Sequence, residues 1–193
     1  MMPRRTAPPR PDPSAPWVID TRDLGRRPGA MRRYHRDVPL AAGLGLDVIG
    51  IPAGETIVLD VRLESVMEGV LVTGTAVATV TGQCARCLDS LTDRIEVEMT
   101  ELFAYPDTAT EATTDPDEVS RVVDGLVDLE PVVRDAVLLT LPQAPLCSED
   151  CPGLCPECGG KRAELGTDHR HEKIDPRWAA LRVRLRGSEE ENE

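Results

Sequence analysis

Aromatic side chains are scarce in this 193-residue chain: Phe103 is the single phenylalanine, joined only by Trp17, Trp178, Tyr34 and Tyr105. Any core must therefore be aliphatic, drawn from valine, leucine and alanine, and the chain is long enough to bury one without disulfides. Lysine is nearly absent, with Lys161 and Lys173 alone, so positive charge is carried by arginine. No stretch approaches the ~20 apolar residues of a membrane span, and no apolar run follows the N-terminal region to serve as a signal peptide. These absences predict a cytoplasmic protein outside the membrane. Also missing are a glycine-rich phosphate loop, a nucleophile elbow and a His-Glu-x-x-His zinc-protease motif, which removes the enzyme classes built on them.

What is present begins with an uneven distribution of charge. The net charge is -12, yet residues 1–36 hold nine arginines against Asp12, Asp20 and Asp23, so this arm is +6 and the remainder is -18. Such an arm suits nucleic acid or an acidic protein face, with Arg22, Arg26, Arg27, Arg32, Arg33 and Arg36 as its candidate contacts. The plainer alternative is a solvated strand edge, or pairing with the acidic body.

Residues 1–16 carry six prolines and read as a disordered leader. A single domain is expected over 17–186. Its first apolar run, Trp17-Val18-Ile19, suits a sheet edge and precedes a turn at Arg27-Pro28-Gly29. From 46 to 105 the period is two, as in Thr56 to Val66, followed by Gly69 to Thr81 and Asp93 to Tyr105. Residues 106–118 lack periodicity and read as a mobile loop. Val122-Val123 and Leu126-Val127 suggest a further strand. Asp128 and Glu130 before Pro131 then start a helix over 128–141: acidic side chains favour the positive helix end, and proline loses nothing at an early position. Asp175-Pro176 starts a terminal helix over 175–186, and 187–193 form an acidic tail. The expected fold is α+β: an antiparallel β meander or partly closed barrel capped by one or two helices, with a C-terminal cysteine-rich zinc-knuckle segment over 146–171.

That segment holds the sharpest chemical signal. In Cys155-Pro156-Glu157-Cys158-Gly159 a two-residue spacer lets both thiolates reach one tetrahedral ion at ~2.3 Å, and the glycine suits the positive φ that turns backbone N–H groups toward sulfur. Cys147 and Cys151 supply the first-choice completion of an all-cysteine Zn2+ site. Two alternatives stay open: His169 and His171 can contribute imidazoles, or Cys84 and Cys87 can fold back as a second knuckle. Against these stand plainer roles, with Cys84 and Cys87 as small apolar side chains in a hairpin and the histidines as solvated loop residues. Thioredoxin-like chemistry shares the two-residue spacer but needs a cysteine opening a helix, whereas Cys158 enters a Gly-Gly turn.

Cys84-Ala85-Arg86-Cys87-Leu88, the start signal at Asp128 to Pro131, Leu141-Pro142, Leu146-Cys147 and Cys151-Pro152-Gly153-Leu154-Cys155-Pro156-Glu157-Cys158-Gly159 together resemble the YceD family, the large ribosomal RNA subunit accumulation proteins. The resemblance covers about residues 17–186. Ile19 to Leu24 and the lysine scarcity are similar to its high-GC Gram-positive branch. It implies a non-enzymatic role in the accumulation or processing of large-subunit ribosomal RNA and in ribosome assembly. The implied partners are that RNA, its precursor or a large-subunit ribosomal protein, with no membrane and no small-molecule substrate. Many relatives carry Cys-x-Cys where this chain has His169-Arg170-His171, which implies a histidine as substitute ligand. The competing functions are an acidic adaptor for a basic ribosomal protein, a thiol oxidoreductase and a zinc hydrolase.

Overall fold

Strand formation follows the period-two pattern in the computed structural model of the chain, which describes residues 10–106, 108–113, 115 and 119–171. The chain divides into two compact units, 1–149 and 150–193. The first is mostly β. Its elements are β1 (Val18–Asp20), β2 (Met31–Pro39), β3 (Leu44–Gly45), β4 (Ile49–Ile51), β5 (Thr56–Ser65), β6 (Gly69–Gln83), β7 (Ser90–Ala104), α1 (Ala109–Thr113), β8 (Leu126–Asp128) and α2 (Glu130–Thr140). The expected terminal helix at 175–186, the tail at 187–193 and the first nine residues of the leader lie outside the described residues.

Six strands form one antiparallel sheet, curled into a half-barrel, in the order β2-β5-β6-β4-β3 with β7 along the other side of β6. The expected meander is β5-β6-β7. Curling requires strands to approach closely at particular points, and Gly74 in β6 is one: a Cβ there would lie 2.2 Å from the Asp60 carbonyl oxygen and 2.7 Å from Val61 Cα. On the inner face Ile57, Leu59, Val61 and Leu63 are buried beside Val70, Val72, Ala76, Ala78 and Val80, and Val97, Met99 and Phe103 of β7 close the layer. This is the aliphatic core that the composition requires, and its burial is the main stabilising contribution.

β1 joins not the large sheet but a separate two-stranded one with β8, pairing Val18 with Asp128 and Asp20 with Leu126. α2 begins as its sequence signal predicts. The Glu130 N–H donates to Asp128 Oδ1 at 3.0 Å, Pro131 follows directly, and Leu141 at the other end leaves the helix in extended conformation before Pro142. Val133 and Val137 are buried and α2 packs against β7 and β3, covering the core. The aperiodic segment 106–118 contains the short helix α1, with Thr113 Oγ1 donating to the Ala109 carbonyl at 2.8 Å. Residues 10–16 turn back on themselves, the Ala15 N–H donating to the Asp12 carbonyl at 3.0 Å.

β2 is the element that the sequence pattern hid. Its inner positions Arg32, Tyr34, Arg36 and Val38 lie opposite Leu63, Val61, Leu59 and Ile57, so two arginines occupy places where alternation would show apolar residues. Arg36 is tolerated because its Nη1 donates to the carbonyls of Val18 at 2.9 Å and Pro16 at 3.1 Å. The arm that reads as a basic extension is thus partly a strand of the sheet.

Candidate metal centres

Two short segments, Cys84–Asp89 at the β6–β7 connection and Cys155–Gly160, wrap their backbone in the same way. In the first, the Leu88 N–H donates to the Cys84 carbonyl at 2.9 Å and the Cys84 N–H donates to the Asp89 carbonyl at 2.8 Å. In the second, the Gly159 N–H donates to the Cys155 carbonyl at 2.8 Å and the Cys155 N–H donates to the Gly160 carbonyl at 2.8 Å. The residue after the second cysteine has a positive φ in both, 62° at Leu88 and 70° at Gly159. Leucine is a rare occupant of that region, and its presence marks a backbone held by its surroundings.

The wrap aims N–H groups at the leading sulfur and favours its thiolate. The Cys84 thiol is lowered to about 6, first by backbone hydrogen bonding from Cys147 and then from Cys87 and Arg86. The Cys155 thiol is likewise lowered to about 6, by the backbone of Cys158 and Glu157 and then by the His169 side chain. Deprotonated sulfur is the form that binds metal.

The ligand atoms of Cys84, Cys87 and Cys147 lie within 4.8 Å of one another in the first unit, and those of Cys155, Cys158, His169 and His171 do so in the second. Of the first-choice set, Cys147 groups with Cys84 and Cys87, and Cys155 and Cys158 group with the two histidines. The segment just before Cys147 is tied to the first knuckle by the Ala85 N–H donating to the Pro145 carbonyl at 2.7 Å, and Arg86 Nη1 donates to the Glu149 carbonyl at 3.2 Å. Cys147 reaches Cys87 across 60 residues of sequence, so no local spacing could have announced the pairing.

Three of the four separations within the two sets suit a tetrahedral ion. Bonds of ~2.3 Å to sulfur and ~2.0 Å to nitrogen place neighbouring ligand atoms about 3.3 to 3.8 Å apart. Cys87 Sγ and Cys147 Sγ are 3.6 Å apart, Cys155 Sγ and His171 Nε2 3.3 Å, and Cys158 Sγ and His169 Nε2 3.6 Å. The His169 and His171 Nε2 atoms approach to 2.8 Å, closer than two ligands of one ion stand, with their rings at 84°. Soft thiolates with imidazoles are zinc donors, and four of them leave no position for water. An ion so enclosed would stabilise the fold and lack the open site that catalysis needs.

The arginines of the arm have separate fates. Arg22 pairs with Asp20, its Nε 2.9 Å from Oδ1, and Asp20 is lowered to about 2 by that hydrogen bonding. Arg26 lies over the Tyr105 ring at 4.6 Å, Arg32 stands 3.6 Å from Asp23, and Arg36 is held by the two carbonyls. Arg27 and Arg33 are exposed. Sequence reasoning missed Arg62, which the register of β5 places beside Arg33; the period-two pattern puts it on an outer face but cannot supply its neighbour.

Among known proteins, the family model described as large ribosomal RNA subunit accumulation protein YceD matches residues 72–183. The chain is 55% identical over 177 residues to Rv2926c of Mycobacterium tuberculosis, covering 91% of this chain and 84% of that protein. It is 47% identical to ML1660 of Mycobacterium leprae over 167 residues, 86% of this chain and 76% of the other. It is 30% identical to YlbN of Bacillus subtilis over 108 residues, 55% of this chain and 61% of the other. No solved structure matches the chain significantly. No helix among the described residues is long and apolar enough to cross a membrane. The matched span runs from the core of β6 through both cysteine knuckles, and with it the chain belongs to the YceD family.

Proposed function

We propose that this chain is a non-enzymatic cytoplasmic factor that supports the accumulation of large-subunit ribosomal RNA during ribosome assembly, and that it carries two structural zinc ions. The family match over residues 72–183 carries the functional part of this reading. The metal part is supported by the repeated knuckle backbone, with Cys84, Cys87 and Cys147 as one ligand set, completed by Cys151 four residues along the chain, and Cys155, Cys158, His169 and His171 as the other. Depleting the protein and measuring large-subunit against small-subunit RNA tests the function: a selective fall in the large-subunit species is expected, and an unchanged ratio overturns it. Metal analysis of the purified chain tests the ligand sets, with two zinc ions expected and thiols that react only after the metal is removed.

The charge of -18 beyond residue 36 favours a second reading, an acidic adaptor that shields a basic large-subunit ribosomal protein without touching RNA. Partner capture that survives nuclease treatment selects it.

A further inference from the structure

The register of β2 and β5 sets Arg33 directly opposite Arg62 on the outer sheet face. Like charges across a strand pair repel, and no compensating acid is shared between them. Arg62 has Glu64 at 3.9 Å on its own strand, and the Arg33 side chain has no ion pair or hydrogen bond among the described residues. The adjacent cross-strand pair is His35 with Asp60 and the pair on the other side is Met31 with Glu64, so acid lies around the arginine pair and not between its members. Arg32 borders the same place from the edge strand, with its guanidinium 3.6 Å from Asp23. Met31, Arg32, Arg33 and Arg62 line one groove of about 190 Å³, three of its four walls being arginine.

We infer that this groove is a seat for a backbone phosphate of RNA, formed by Arg33 and Arg62 with Arg32 beside them. The inference rests on the reading that the chain works on large-subunit ribosomal RNA. The two non-bridging oxygens of a backbone phosphate can take more than one guanidinium, and arginine's planar fork suits them. An anion between Arg33 and Arg62 also removes the repulsion that the register imposes. Met31, 57% exposed at the rim, offers a sugar or base an apolar contact. The seat further separates the arginines of the arm: Arg22 and Arg36 are committed within the protein, and Arg33 is available.

The test uses the full chain, a short RNA duplex and a large-subunit ribosomal RNA transcript, with binding followed against salt. Wild type is expected to bind both with steep salt dependence. The double variant Arg33→Gln, Arg62→Gln is expected to bind about tenfold more weakly, with the slope of log K against log salt shallower by about two, one for each arginine. Its melting temperature should not fall, because the substitution removes a repulsion; Arg22→Gln should leave the slope unchanged. The lysine pair Arg33→Lys, Arg62→Lys should recover the slope but not the full affinity, since charge returns without the planar fork. If wild type binds RNA and the glutamine double variant binds equally well, the seat is overturned while the RNA reading stands. If wild type ignores RNA but binds poly-glutamate through these arginines, the ligand is an acidic protein, and failure to bind either polymer likewise removes the seat. In both cases the depletion experiment judges the ribosomal role separately.

Discussion

The two knuckles share a backbone and differ in nearly everything around it. At Cys84–Asp89 the thiols are 0% and 7% exposed, and the knuckle groups with Cys147. At Cys155–Gly160 only Cys155 is buried, Cys158 and His171 are exposed, and imidazoles replace sulfur. A left-handed residue follows each second cysteine, glycine in the exposed knuckle and leucine in the buried one. The wrap is a property of six residues and is bought locally, while the depth of burial and the choice of donors belong to what packs around it.

The largest expected effect comes from breaking the buried set. Cys84→Ser or Cys87→Ser should lose one of two zinc ions and destabilise residues 10–149 by several kcal/mol, on the order of a substantial part of the ~10–16 kcal/mol apparent binding energy of small zinc modules. Denaturant unfolding with metal analysis checks this, and a chain that keeps both ions and its midpoint would remove Cys84 from the ligand set. Next, Cys158→Ser or His171→Ala should also lose one ion but leave hydrogen exchange in β5, β6 and β7 as in wild type. Slowed or hastened exchange there would show that the two knuckles are not energetically separate.

A weak chelator should sharpen the comparison further. The ion at the exposed set is expected to leave first, giving two kinetic phases of one equivalent each; simultaneous release would make burial irrelevant to retention. The smallest effects concern the left-handed positions. Leu88→Gly should raise stability by about 1 kcal/mol by relieving the positive φ, and Gly159→Leu should lower it by about 1 kcal/mol, both read from denaturant midpoints. Leu88 is 59% exposed, so little packing is lost in the exchange.

Several parts of this organisation were legible in the chain. The Cys155-Pro156-Glu157-Cys158-Gly159 spacing announces a knuckle because both thiols and the glycine act within one turn of backbone. The start of α2 at Asp128 to Pro131 and the long strands β5, β6 and β7 were legible for the same reason: capping and period-two alternation are local. β2 was not, because Arg32 and Arg36 occupy its inner positions and erase the alternation.

What the sequence by itself determined is therefore the set of local parts: the knuckle at Cys155 and Cys158, three long strands, one capped helix and an arm rich in arginine. Only the tertiary structure decided which thiols meet, since Cys87 and Cys147 are brought to 3.6 Å by the chain returning after α2. It alone set Arg33 against Arg62 while committing Arg22 and Arg36 to partners within the protein. The division has one physical cause: spacing along the chain fixes interactions within a turn or a strand, and contacts between distant segments depend on a register that no short stretch encodes.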